Sequence, residues 1–90
     1  MNKADLVKRV ARDTGLTKAD VLRVVDAALA QVTRALRRGD LVKLQDFGTF
    51  EVSHRRARAG HNPWSGAAMK LPARRWPRFS PGKRLKSLVR

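Results

Sequence analysis

Apolar residues recur at helical and then at strand-like spacing through the first 54 positions and then give out, while the signals of an extended, turning chain continue to Phe79. Phe50, Val52 and His54 share one face of an alternating run, and Thr49, Glu51, Ser53 and Arg55 take the other, so one side can pack while the other stays wet. From Arg55 onward cations replace the apolar positions. The stretch Gly60-His61-Asn62-Pro63-Trp64-Ser65-Gly66 is dense in turn formers, and an extended segment from Met69 to Phe79 returns. A strand pair that outruns its core must leave it as a ribbon. With roughly eight residues per leg at ~3.3 Å each, it protrudes on the order of 25 Å. Pro72 and Pro77 each remove a ladder donor, which restricts them to an edge, a bulge or an exit from the sheet.

The part before the ribbon reads as its base. Asn2 followed by Asp5 resembles a capping box, Leu6, Val7, Val10 and Ala11 follow at helical spacing, and Gly15 ends the helix. Thr17 with Asp20 repeats the signal ahead of a longer stripe of Val21, Val25, Ala28, Leu29, Val32 and Leu36, closed by Arg37-Arg38-Gly39. Arg37 and Arg38 read better as a solvated helix end than as a binding pair. Val42 and Leu44 begin a hairpin that turns at Gln45-Asp46-Phe47-Gly48. Ser80-Pro81 reads as a cap with proline in the first helical position, before Leu85, Leu88 and Val89. The prediction is one α+β domain of order ααβββα. Its helical base covers 1–39, a three-stranded antiparallel sheet 40–55 and 74–79, a protruding β-ribbon arm 56–73, and a C-terminal helix 81–90.

Ninety residues bury only about two-thirds of the surface of the unfolded chain, and there is no cysteine to add a disulfide or a thiolate-bound metal. Stability is therefore expected from association with a second chain, and Phe47, Phe50 and Phe79 are the expected core or dimer packing. The net charge of +14 requires a polyanionic partner, either nucleic acid or an anionic membrane. Residues 1–45 carry ten basic and five acidic side chains, residues 46–90 eleven and two, so the second half is the better binding surface. No apolar run approaches the ~18 residues of a spanning helix. The cations cluster on an extended segment, not on an amphipathic helix, which disfavours a membrane surface. Met1-Asn2-Lys3-Ala4-Asp5 lacks the apolar centre of a signal peptide, and a soluble intracellular protein is expected.

Several separated motifs resemble the bacterial histone-like family that includes HU and integration host factor. They are Met1-Asn2-Lys3 with Leu6, Gly39-Asp40, Phe47-Gly48-Thr49-Phe50, His54-Arg55 through Arg58 into Gly60-His61-Asn62-Pro63, and Phe79 with Gly82-Lys83 and Leu85-Lys86. The resemblance implies an intertwined dimer whose two arms reach around the DNA minor groove, and a place in the bacterial nucleoid within the cytoplasm. It puts Pro63 at the arm tip as the wedge that partly unstacks a base step, with Arg55, Arg58, Lys70, Arg74 and Arg75 along the phosphates or groove. Lys3, Lys83 and Lys86 match flank positions that meet phosphates beyond the kinks. His61 stands where many members of the family carry arginine, and Trp64 after the proline is unusual for them. Arg74-Arg75 and Ser80-Pro81-Gly82 are more similar to integration host factor, while most of the chain is closer to HU.

The chemistry asks for these residue types. A groove ~6 Å wide admits a slim ribbon, cations offset phosphate charge, and a rigid apolar ring holds a kink open. Because the minor groove shows little beyond A·T versus G·C, binding should follow deformability more than base identity. The expected function is architectural, binding duplex DNA largely independently of sequence, bending and compacting it. A sequence-preferring subunit similar to integration host factor and a basic RNA-binding module are the alternatives.

His61, Asn62, Pro63 and Trp64 form the expected tip contacts. The Trp64 indole is a second wedge, a groove-edge contact or an accident of exposure, and Trp76 is expected to pack beneath the sheet. His54 and His61 form no metal-ligand set. No phosphate loop, nucleophile elbow or paired carboxylate is present, so neither an enzyme, a cofactor nor a small-molecule substrate is expected. The protein partner is expected to be a second identical chain, or a paralogue.

Overall fold

In the computed structural model, which describes residues 1–90, the element order is α1 (Lys3–Thr14), α2 (Lys18–Arg37), β1 (Val42–Leu44), β2 (Gly48–Arg55), β3 (Arg58–His61), β4 (Ala68–Leu71), β5 (Arg74–Pro81) and α3 (Lys83–Val89). The chain forms two compact units, residues 1–34 and 35–90.

In the first unit both helix starts follow from their caps. The Asp5 N–H donates to Asn2 Oδ1 at 2.9 Å and the Asn2 N–H donates back to Asp5 Oδ2 at 3.2 Å, a complete capping box. Gly15, at φ 76°, ends α1 in the left-handed region, with its N–H on the Ala11 carbonyl at 2.9 Å. Thr17 Oγ1 accepts the Asp20 N–H at 3.1 Å at the start of α2. Val7, Ala11 and Val21 are buried together, with Val10 and Val25 against them. That core is small, and Val24 (63% exposed) and Leu29 (53% exposed) remain open to solvent.

The second unit starts where α2 ends. Gly39, at φ 83°, turns the chain, and the Asp40 N–H donates to the Ala35 carbonyl at 2.9 Å. Three strands follow in the order β1-β2-β5, all antiparallel, with Val42 opposite Phe50 and Phe50 opposite Phe79. The Phe79 ring lies 4.9 Å from that of Phe50 and 5.6 Å from that of Phe47. Gly48 is obligatory for this packing, because a Cβ there would stand 2.6 Å from the Phe79 ring and 2.7 Å from the Ser80 carbonyl. β5 is an edge strand, the position that tolerates Pro77.

Each long leg of the expected three-strand pattern is two strands. Pairing stops at residues 56–57 and 72–73, and β3 and β4 form a separate two-stranded sheet. Pro72 falls in the break, where its missing N–H costs no ladder bond. With six residues per leg, 56–61 and 68–73, the ribbon extends about 20 Å, short of the expected 25 Å.

The start of the last helix also differs from expectation. Ser80 and Pro81 belong to β5, and α3 begins at Lys83 with Gly82 as its cap. The Ser80 hydroxyl donates to Glu51 Oε1 at 2.8 Å across the sheet, so it is not available to cap a helix. The turn into α3 is held by the Gly82 N–H on the Phe47 carbonyl at 2.8 Å.

Candidate nucleic-acid interface

Register and strand alternation divide the three-stranded sheet into two faces. Val42, Leu44, Phe50, Val52, Pro77 and Phe79 share the apolar one. Lys43, Thr49, Glu51, Ser53, Arg55, Arg74, Trp76, Arg78 and Ser80 share the other, which therefore carries four cations against one carboxylate. Arg55 stands directly opposite Arg74 in the ladder. Like charges so placed repel, and a polyanion laid over them removes the penalty.

The predicted cations separate into different jobs. Arg74 lies over the Trp76 ring, 5.6 Å from its centroid, which keeps its guanidinium on the polar face. Trp76 is thus on the wet face, the one turned away from that of Phe79, and not beneath the sheet as expected; its two-residue spacing from Arg74 and Arg78 requires it. Arg75 points the other way. Its Nη2 donates to the Leu36 and Arg37 carbonyls, both at 3.3 Å, and so holds the last carbonyls of α2.

Arg55 donates from Nη2 to the Pro72 carbonyl at 3.1 Å and ties the root of the ribbon, while its buried Nε has no partner. Lys3 forms an ion pair with Asp26 in the first unit. Arg38 pairs with Asp40 at 3.2 Å, in keeping with a solvated helix end.

In the ribbon Arg58 pairs with Leu71, Ala59 with Lys70, Gly60 with Met69 and His61 with Ala68. One face therefore holds Ala59, His61, Ala68 and Lys70, the other Arg58, Gly60, Met69 and Leu71. At the tip, Asn62 Oδ1 accepts the Trp64 N–H at 2.8 Å and the Ser65 N–H at 3.3 Å. The Asn62 backbone closes the loop, its N–H on the Ala67 carbonyl and its carbonyl under the Gly66 N–H, both at 2.8 Å. Gly66, at φ 70°, makes the left-handed step. The amide oxygen of Asn62 shapes the turn, and Pro63, Trp64, Ser65, Gly66 and Ala67 are its exposed residues.

Lys43 and Arg78 were missed by sequence reasoning, although alternation counted from Arg74 leads to Arg78. Lys43, Lys83 and Arg84 line one shallow depression, and Lys86 lies one turn further along α3. None of the eleven basic residues in 46–90 forms an ion pair, whereas Lys3, Arg12, Arg23 and Arg38 of the first half do. No three His, Asp or Glu side chains gather as metal ligands. No helix is long and apolar enough to cross a membrane.

A cationic sheet face continued by a slender basic ribbon defines a class, the β-ribbon binders of polyanionic helices. The family described as bacterial DNA-binding protein matches residues 1–90. DNA-binding protein HU of Geobacillus stearothermophilus is 49% identical over 90 residues, covering all of both chains. HU of Thermus thermophilus is 51% identical over 90 residues, all of this chain and 93% of that one. Among solved structures, Anabaena HU cocrystallised with DNA superposes with a TM-score of 0.84 at 43% identity, over 99% of this chain and 97% of that one. HU from Thermotoga maritima gives 0.71 at 33% identity over the whole of both. The chain belongs to the bacterial DNA-binding protein family that includes HU, and its function is architectural DNA binding, not catalysis.

Proposed function

We propose that two copies of this chain bind duplex DNA largely independently of sequence, each ribbon entering the minor groove with Pro63 as the wedge, so that the duplex is bent and compacted in the bacterial nucleoid. The observation that carries this reading is the basic ribbon, continuous in chain with a sheet face that holds Lys43, Arg55, Arg74 and Arg78. Pro63 has no amide hydrogen and a rigid ring, the properties needed to hold an unstacked step open. Arg58 and Lys70 along the legs supply charge at groove level, His61 adds an imidazole next to the tip, and Lys83 and Lys86 extend the charge to the flanks. Lys3 reaches phosphate by exchanging its exposed pairing with Asp26, an ion pair of little worth in water. Arg55 and Arg75 act chiefly by bracing the ribbon root and the end of α2, and Asn62 by shaping the tip.

Self-association is supported by what each unit leaves uncovered. Only Val7, Ala11, Val21 and Ala35 are buried hydrophobics, while Phe47 (46% exposed), Phe79 and Leu29 are open. A core this small is marginal alone, and a second chain is the means of covering those rings. Deformability, more than base identity, sets the preference, because the minor groove carries a degenerate code.

Fluorescence transfer across an end-labelled duplex of about 30 base pairs tests the wedge. Pro63→Ala is expected to reduce the bend more than the affinity, and an unchanged bend rejects Pro63 as the wedge. Sedimentation of the free protein tests the dimer, since a single-chain mass at micromolar concentration is incompatible with it.

A further inference from the structure

We propose that Ser80 is a positioning residue of the DNA-binding face: by holding the Glu51 carboxylate, it keeps the Arg78 guanidinium free for a backbone phosphate of the duplex. The inference rests on the reading of the polar sheet face as the surface that meets DNA, and extends it to the one carboxylate on that face.

Glu51 stands directly opposite Arg78 in the ladder between β2 and β5, and both side chains lie on the polar face. Directly opposed residues are the closest cross-strand neighbours, and opposite charges so placed attract. Glu51 nevertheless forms no ion pair with Arg78 or with any other cation of the chain. Its Oε1 accepts instead from the Ser80 hydroxyl at 2.8 Å, although Ser80 is paired with Thr49 and is only a diagonal neighbour of Glu51. The carboxylate is thus drawn along the sheet, away from the guanidinium. Ser80 and Glu51 are half-buried where they meet, while Arg78 is exposed.

The other arginines of this face are already engaged within the chain. Arg55 donates to the Pro72 carbonyl, and Arg74 lies over the Trp76 ring. Arg78 has neither a hydrogen bond, an ion pair nor an aromatic partner, so it is the guanidinium of the face whose whole donor fork is open to a phosphate. Pairing with Glu51 would end that availability, because an incoming phosphate would first have to displace the carboxylate. A neutral hydroxyl holds the carboxylate by a charge-assisted hydrogen bond without occupying a cation. The one acidic group of the face is accommodated and the positive charge beside it stays open.

The test measures binding of the full chain to an intact duplex of about 30 base pairs over a range of salt concentrations, with denaturation midpoints taken alongside. Ser80→Ala frees Glu51 to pair with Arg78 and is expected to weaken binding about fivefold when both copies carry it. The log-log salt slope should shrink at the same time by up to about 1.8, one phosphate for each copy. Ser80→Thr keeps the hydroxyl and should bind as wild type. Ser80→Val, shaped like Ser80→Thr but without the hydroxyl, should repeat the loss, which separates the missing hydrogen bond from missing volume. In the Glu51→Gln background, Ser80→Ala should change affinity less than about twofold, because no carboxylate is left to compete. A loss that persists undiminished in that background, or an unchanged affinity and slope in Ser80→Ala alone, overturns the proposal. Arg78→Ala tests the reading beneath it: a smaller salt slope keeps the sheet face on the DNA, whereas an unchanged slope removes that face from the duplex and this inference with it.

Discussion

The three-stranded sheet and the two-stranded ribbon are made from the same alternating, arginine-rich backbone, yet only the sheet has a face to pack. In the sheet, Phe50 and Phe79 interlock and Gly48 leaves room for them, so register is enforced by side chains that would clash or be exposed if it slipped. In the ribbon the corresponding cluster is Gly60 with Met69 and Leu71 alone, and isolated two-stranded ribbons are marginal in water. Packing is thus concentrated in one segment of a continuous hairpin, while cations are carried by both. The sheet holds the fold, and the ribbon commits its side chains to charge and to its tip.

That separation is open to attack by substitution. The largest effect belongs to Gly48→Ala, which forces a Cβ against the Phe79 ring and the Ser80 carbonyl. Overpacking of this kind costs about 2–3 kcal/mol, read as a lowered denaturation midpoint at fixed protein concentration; an unchanged midpoint breaks the assignment of stability to the sheet.

Next comes Arg75→Ala, which removes two hydrogen bonds to the end of α2. A drop of about 0.5–1 kcal/mol is expected by the same assay, with a smaller change in the salt dependence of DNA affinity than a phosphate-binding residue gives. A stability-neutral Arg75→Ala that alters the salt slope instead returns this arginine to the DNA surface.

The smallest effect on folding belongs to Lys70→Ala on the ribbon, within about 0.5 kcal/mol of wild type. Its signature lies in the titration of affinity against salt, where the log-log slope should shrink by about 1.8, because each of the two copies no longer neutralises one phosphate. A ribbon substitution that unfolds the protein as readily as Gly48→Ala would erase the distinction between the two regions.

Much of this is legible in the order of residues alone. Helix starts at Asn2 and Thr17, the stop at Gly15, the departure of the ribbon after Arg55 and the turn around Asn62 and Pro63 are local events. Caps, left-handed glycines and turn residues act on neighbours within about four positions, so their consequences appear in the order of the letters. Ser80 misleads for a related reason. Its local pattern is that of a cap, but a carboxylate at Glu51 on the neighbouring strand claims the hydroxyl.

Local rules acting along the chain therefore specify the kind of molecule: two capped helices, a hairpin that outruns its apolar face, and a charge excess concentrated where that face ends. The separate placements of the arginines emerge with strand pairing. Arg74 and Arg75 are indistinguishable as adjacent letters, but alternation sends one over Trp76 and the other to carbonyls 38 and 39 positions back in the chain. Alternation becomes a statement about faces once register sets its phase, and that phase was set by Phe79 meeting Phe50 across the ladder.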